Sequence, residues 1–244
     1  MRILVVGATS TIAIECERIW SDSPGAHLML AGRDLKVLRS LAQDLEIRFP
    51  KASFEILTCD FTDANSIQEA IDSVDVVDLA LIAHGELTDQ VSAQSDLTVV
   101  EKSLDVNAVS PVLFAEAIVR KFEHQNSGTL IILGSVAGDR GRRSNYVYGA
   151  AKGLLETYVQ GLQHRFANSG IAIILVKPGP TATKMTLTMA KPPKGMADPS
   201  DVARAITKVA SKNKSRIVYI PGKWRLIMFI IRNLPRTIFN RMDI

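Results

Sequence analysis

The chain has 244 residues, 47% hydrophobic and 22% charged, with a formal net charge of +4. That length can bury a substantial core in one domain, and the composition excludes a disordered or collagen-like chain. The charge sits at one end, where Lys223, Arg225, Arg232, Arg236 and Arg241 face only Asp243, so residues 1–222 are neutral overall and a basic nucleic-acid-binding fold is excluded.

Met1-Arg2 leads straight into Ile3-Leu4-Val5-Val6 and Gly7, an apolar run too short for the core of a secretion signal. Cys16 and Cys59 show neither disulfide nor metal spacing, which fits a reducing cytoplasm. Short apolar runs then recur. Ile3–Val6, Leu28–Ala31, Phe54–Leu57, Leu79–Ile82, Leu130–Leu133 and Ile171–Val176 predict strands, and Ile217–Ile220 a seventh. Between them, Ile12, Cys16, Ile19 and Trp20 repeat at helical spacing, as do Leu35, Leu38, Ala42 and Leu45. Apolar strands alternating with helices predict an α/β fold: a doubly wound parallel sheet with helices on both faces, carrying everything up to about Gly222. Lys191-Pro192-Pro193-Lys194-Gly195 predicts a loop, and Asp198-Pro199 opens a further helix.

The first strand runs into Gly7-Ala8-Thr9-Ser10-Thr11-Ile12-Ala13 and then a helix. A glycine here lets the chain turn tightly, and the helix N-terminus offers free N–H groups to a pyrophosphate. The plain alternative is an ordinary strand–loop–helix turn. The second strand ends in Gly32-Arg33-Asp34. An acid near this point selects the ribose hydroxyl of NAD, whereas an arginine accommodates the phosphate of NADP. Arg33 leans to NADP, with NAD as the alternative if Arg33 is merely solvated and Asp34 caps the next helix.

The strongest pattern is Ser135-x12-Tyr148-x3-Lys152. Ser135 follows a strand, so it emerges at the carboxyl edge of the sheet, where open α/β folds place ligands. Tyr148 and Lys152 are four apart in a helical stretch and share a face. An ammonium ~4 Å from a phenol, at an effective dielectric of ~20, would favour the phenolate by about 4 kcal/mol and lower its pKa by about 3.

With the nucleotide turn and Pro178-Gly179, this pattern resembles the short-chain dehydrogenase/reductase family over nearly the whole chain. The resemblance implies an NAD(P)-dependent oxidoreductase in which Tyr148 moves the substrate proton, Ser135 binds the carbonyl and Lys152 holds the nicotinamide ribose. It implies that Asn107, in Asp105-Val106-Asn107-Ala108, holds a relay water; the alternative is a helix-bending residue that satisfies backbone. It also implies adenine contacts from Asp60 and Phe61, and nicotinamide contacts from Pro178, Gly179, Thr181 and Thr183. Two departures stand out. The family's Gly-x-x-x-Gly-x-Gly keeps only Gly7, with Thr11 and Ala13 at the other glycines, and its Asn-Asn-Ala-Gly reads Ile82-Ala83-His84-Gly85, where only Gly85 is kept. His84 reads better as a packing residue than as an acid/base. Dimers or tetramers through the helices bearing Asn107 and Tyr148 are implied as well.

Arg140, Arg142 and Arg143 lie between Ser135 and Tyr148, so connectivity forces them near the catalytic rim and points to an anionic substrate; a solvated loop or subunit contact is the alternative. This loop, Tyr146-Val147-Tyr148-Gly149, and the ending from Ile227 to Phe239 resemble a narrower group, the reductase component of decaprenylphosphoryl-ribose 2′-epimerases. That likeness implies a keto-sugar on a polyprenyl phosphate and a flavin oxidase partner, although Arg33 argues for a different cofactor preference. In the tail, Trp224, Ile227, Met228, Ile231 and Leu234 recur at helical spacing among arginines. Leu226–Ile231 is far below the ~18 residues that span a bilayer. The tail therefore lies on the inner face of a membrane, covers the pocket or meets another subunit. A general carbonyl or 3-ketoacyl reductase, and a catalytically silent NAD(P)-binding protein, are the competing functions.

Overall fold

The structure is a computed structural model and describes residues 1–187, 189 and 192–242. Each predicted strand is present: β1 (Arg2–Val6), β2 (His27–Gly32), β3 (Ser53–Thr58), β4 (Leu79–Ile82), β5 (Gly128–Leu133), β6 (Ile171–Pro178) and β7 (Arg216–Ile220). They form one seven-stranded sheet in the order β3-β2-β1-β4-β5-β6-β7, with every neighbouring pair parallel. Burial on both faces explains the continuous apolar runs: all six residues of β5 and the first seven of β6 are buried. The order reverses between β1 and β4, so the carboxyl ends of those strands open a crevice at the switch point.

The helices begin where short polar side chains cap them. Ser10 caps α1 (Thr11–Ser21), Asp34 caps α2 (Leu35–Arg48) and Asp63 caps α3 (Ala64–Asp72). Asp89 and Asp96 do the same for α4 (Gln90–Ser95) and α5 (Leu97–Leu104). A π-turn at Asp105–Val109 joins α5 to α6 (Ser110–Gln125), and α7 spans Tyr146–Arg165. Past β6 come α8 (Lys184–Leu187) and α9 (Pro199–Ala210), the latter opened by Asp198 and Pro199 as the sequence indicates. After β7, α10 covers Lys223–Asn233 and α11 covers Arg236–Phe239. Pro192 to Gly195 is irregular, as expected; Lys191 of that stretch lies outside the described residues.

Two apolar layers sandwich the sheet. One packs α3, α6 and α7 residues such as Ile67, Phe114, Phe122 and Leu155 against it, and the other packs Trp20, Leu38 and Ile206 from α1, α2 and α9. Truncating a fully buried ring such as Phe122 to alanine costs roughly 3–5 kcal/mol, so these layers hold the carboxyl edge rigid. Cys16 and Cys59 are both free thiols. Among the described residues no helix is long and apolar enough to cross a membrane.

Candidate active site

At the carboxyl edge of the sheet lies a cavity of about 480 Å³. Its cofactor end begins at Gly7, whose φ of +80° is a left-handed turn that a side chain resists, and a Cβ there would strike the backbone of His84 at 2.7 Å. The turn is held by Gly7 and Ala8 N–H groups donating to the Ala31 carbonyl at 2.9 and 3.1 Å. Thr9, Ser10, Thr11 and Ile12 then line the cavity. Ser10 Oγ accepts the Ala13 N–H at 3.2 Å, while helix geometry leaves the first-turn N–H groups of Thr11 and Ile12 for an anion. Thr11 and Ala13 stand at the positions of the two missing glycines, and the cradle fits a dinucleotide.

Farther out, Asp34 is spent on its helix, accepting Lys36 and Val37 N–H groups at 2.9 and 3.1 Å. Arg33 is exposed beside it. Asp60 accepts the Thr62 N–H and hydroxyl at 2.8 and 2.7 Å, and these bonds, with a smaller contribution from the Arg33 charge, hold its carboxyl below the usual range. The Phe61 ring is buried edge-on against His84 and Phe114, each 4.8 Å away between centroids, which leaves an adenine contact to its backbone.

His84 lines the cavity but is no acid/base. Burial, reinforced by the charges of Lys152 and Arg33, pulls its pKa to about 3, so it stays neutral. Its Nε2 pairs with Ser110 Oγ at 2.9 Å. Gly85 follows it in the cavity wall.

The catalytic end is assembled from three elements. Ser135 stands two residues beyond β5, its Oγ accepting the Ala137 N–H at 3.1 Å. Tyr148 and Lys152 rise together from the first two turns of α7, and all three residues face the cavity. Tyr148 is hydrogen-bonded to Ser135. Its pKa, however, is raised: burial outweighs the Ser135 hydrogen bond. The expected Lys152-driven depression is therefore absent, and the reason is visible. Lys152 Nζ donates to the Leu133 carbonyl at 3.1 Å, lies 5.9 Å from the Tyr148 ring centroid, and is itself pulled down to about 8 by burial. Tyr146 is exposed and outside the cavity lining.

Asn107 is fully buried in the π-turn, a feature frequent at functional sites. Its Oδ1 accepts the Glu86 N–H at 3.0 Å and its Nδ2 donates to the Ser103 carbonyl at 3.0 Å. The side chain thus pins the turn to the loop after Gly85.

On the opposite wall, Pro178, Gly179, Thr181 and Thr183 all line the cavity. Gly179 donates its N–H to the Ile220 carbonyl at 2.9 Å, and Thr181 Oγ1 donates to the Gly179 carbonyl at 3.0 Å. A Cβ on Gly179 would fall 1.9 Å from Trp224 Nε1, so the indole of α10 closes over this loop and completes the wall.

The arginine trio divides. Arg142 lines the cavity; burial lowers its pKa against the opposing pull of Asp139, and its Nε is buried without a hydrogen-bond partner. Arg143 is exposed and outside the lining. Arg140 leaves the rim altogether, which corrects the expectation. It donates to the carbonyls of Ile231 and Leu234, the latter at 2.8 Å, and stacks 3.7 Å over the Phe239 ring. The carbonyls exposed at the end of α10 attract a cation, and Arg140 supplies it.

One group escapes sequence reading. Lys177, 1% exposed, pairs with Asp139 and, at 2.5 Å, with Glu156, while Tyr219 Oη donates to Asp139 at 2.8 Å. Burial opposes the Lys177 charge, yet the two carboxylates outweigh it and raise its pKa. The cluster ties β6, β7 and α7 to the loop that runs from Ser135 to Tyr148.

A parallel sheet with a dinucleotide cradle and a Ser–Tyr–Lys centre defines a Rossmann-type oxidoreductase. A family model described as short chain dehydrogenase matches residues 1–193. The chain is 32% identical over 251 residues to an uncharacterised oxidoreductase of Streptomyces coelicolor, covering 98% of this chain and 95% of that one. It is 33% identical to an uncharacterised oxidoreductase of Mycobacterium tuberculosis, over 67% of this chain and 65% of the relative. Among solved structures it is similar to a short-chain dehydrogenase from Sphingobium yanoikuyae in complex with NADPH, with a TM-score of 0.81, 19% identity and 96% of each chain covered. It is also similar to a 3-oxoacyl-(acyl-carrier protein) reductase from Brucella melitensis in complex with NAD, with a TM-score of 0.78, 18% identity, and 92% of this chain and 97% of that one covered. The chain belongs to the short-chain dehydrogenase/reductase family, whose members are NAD(P)-dependent oxidoreductases.

Proposed function

We propose that the protein uses NADPH to reduce a ketone that carries an anionic group, the substrate being a keto-sugar on a polyprenyl phosphate. One observation carries this reading. The Ser135–Tyr148 pair and Lys152 share a single cavity with Arg142, and most of the remaining wall is apolar, built by Leu87, Met189 and Trp224 among others. An anion at Arg142 and an apolar chain along that wall would use both kinds of lining.

Bound nicotinamide would supply the hydride. The residues supply the rest. Tyr148, its pKa raised, keeps its proton at neutral pH and gives it from Oη to the carbonyl oxygen. Ser135 Oγ holds that oxygen beside Tyr148. Lys152, with a pKa of about 8, remains charged at neutral pH and would hold the nicotinamide ribose that sets the hydride beside the carbonyl. Exposed Arg33, with Asp34 committed to its helix cap, supports NADPH over NADH. A flavin-dependent sugar oxidase partner would supply the ketone. Exposed Val91, Leu97 and Leu154 on α4, α5 and α7 support a homodimer or homotetramer, and the free thiols of Cys16 and Cys59 fit a cytoplasmic location.

Purified protein assayed for NADPH oxidation should turn over phosphate-bearing ketones. Arg142→Gln should raise their KM roughly 10- to 100-fold, the worth of one charge-assisted hydrogen bond, and leave neutral ketones unchanged. Neutral ketones reduced as well as charged ones, with no effect of Arg142→Gln, would instead favour a general carbonyl or 3-ketoacyl reductase. NADPH binding without turnover of any ketone would favour the silent binding protein.

A further inference from the structure

Helix α10 has two apolar faces. The inner one is spent on the fold: Met228 is wholly buried and Trp224 closes the catalytic cavity. The outer one is not. Leu226 and Phe229 are each 65% exposed and Ile230 is 53% exposed, at i, i+3 and i+4, and Ile238 on α11 is 52% exposed. Isolated exposed apolar residues need no explanation, but three on one face of one helix mark an interaction surface.

Charge identifies the occupant. Lys223, Arg225, Arg232, Arg236 and Arg241 surround these residues in sequence, and residues 223–242 contain no acid. Among the described residues none of the five has an ion-pair partner. Arg225 and Arg232 are seven residues apart, two turns along the same side of α10, and with Tyr219, Leu226 and Phe229 they line an open groove. A second copy docked about a twofold axis would bring five cations against five, which electrostatics opposes. A surface presenting phosphates above an apolar layer matches both features. The surface is also held in shape, because Arg140 clamps the end of α10 from the protein body.

We propose that the outer face of α10 docks on a bilayer rich in anionic phospholipid. Headgroup phosphates meet Arg225 and Arg232 in the groove, and Leu226, Phe229 and Ile230 enter the upper acyl region. The same helix carries Trp224 into the catalytic cavity, so docking brings the cavity wall to the lipid surface. A lipid-linked substrate could then reach Tyr148 while its chain stays near the bilayer. That consequence rests on the substrate class proposed above; the docking itself does not.

The full chain should co-sediment with vesicles of phosphatidylcholine and phosphatidylglycerol, be released by high salt, and leave vesicles of phosphatidylcholine alone unbound. Leu226→Asp with Phe229→Asp should abolish binding. Arg225→Gln with Arg232→Gln, which spares the apolar face, should weaken it about 30-fold. Both variants should keep the wild-type NADPH affinity and melting temperature, since these side chains are exposed. Equal binding to both vesicle types, or variants that bind like wild type, would overturn the proposal. So would a wild-type chain that ignores vesicles but loses solution mass on Leu226→Asp with Phe229→Asp, since the face would then be a subunit contact. Vesicle binding without reduction of any phosphate-bearing ketone would sink the substrate class and leave the docking standing.

Discussion

Replacing Lys152 by methionine should stabilise the protein while ending its activity. The ammonium is buried, and burial pulls its pKa from the ordinary 10.5 to about 8. That drop corresponds to about 3 kcal/mol of folding free energy lost by keeping the charge in the site at neutral pH. Methionine keeps much of the stem and removes the charge, but it leaves the Leu133 carbonyl without its 3.1 Å donor, at a cost of about 1 kcal/mol. The net gain is about 2 kcal/mol, which for a chain of this size raises the melting temperature by roughly 4–8 °C. The pH dependence follows from the direction of the shift. An unfolded lysine holds its proton up to 10.5 and the folded one releases it near 8, so wild-type stability rises with pH across that window. The advantage of Lys152→Met is therefore full at neutral pH and fades toward 10.5. Thermal melts of the cofactor-free protein at about pH 7 and about pH 10 test this, alongside NADPH oxidation, which should fall at least 100-fold. A variant less stable than wild type at neutral pH, or equally advantaged at both values, would refute the account of Lys152 as a strained charge.

Tyr148→Phe should lower ketone reduction at least 100-fold while NADPH affinity stays within a few-fold, and Tyr146→Phe, outside the cavity, should change little; steady-state rates with fluorescence titration separate the two effects. Arg33→Ala should weaken NADPH roughly 10- to 100-fold and barely touch NADH, and equal losses for both cofactors would mean that Arg33 is merely solvated. Lys177→Met strips the cation from two buried carboxylates and should cost roughly 3–5 kcal/mol in urea unfolding, with Asp139→Asn in the same chain restoring part of the loss; a cost below about 1 kcal/mol would show that the cluster is not a structural tie.

What the sequence makes legible here is whatever depends on local pattern. The strands are readable because burial on both faces leaves them no polar positions, and the Ser135, Tyr148 and Lys152 set is readable because one strand end and one helix face confine three side chains to one cavity. Other features depend on partners far along the chain. Arg140 looks equivalent to Arg142 in a run of arginines, yet carbonyls more than ninety residues away claim it, while Arg142 stays in the cavity. Lys177 sits in an apolar strand with no sequence cue that Asp139 and Glu156 converge on it. The tyrosine shows a deeper limit. Spacing places Lys152 beside Tyr148, but the sign of the pKa shift is a contest between burial and charge, and only the enclosed geometry decides it. Burial wins, so the folded cofactor-free site holds a protonated tyrosine suited to giving a proton to a carbonyl. The tail follows the same logic. Its predicted stripe of Trp224, Ile227, Met228, Ile231 and Leu234 is the face turned toward the protein, with Met228 fully buried and the other four partly buried. The residues left for a membrane are the ones between them, which periodicity alone assigns to solvent.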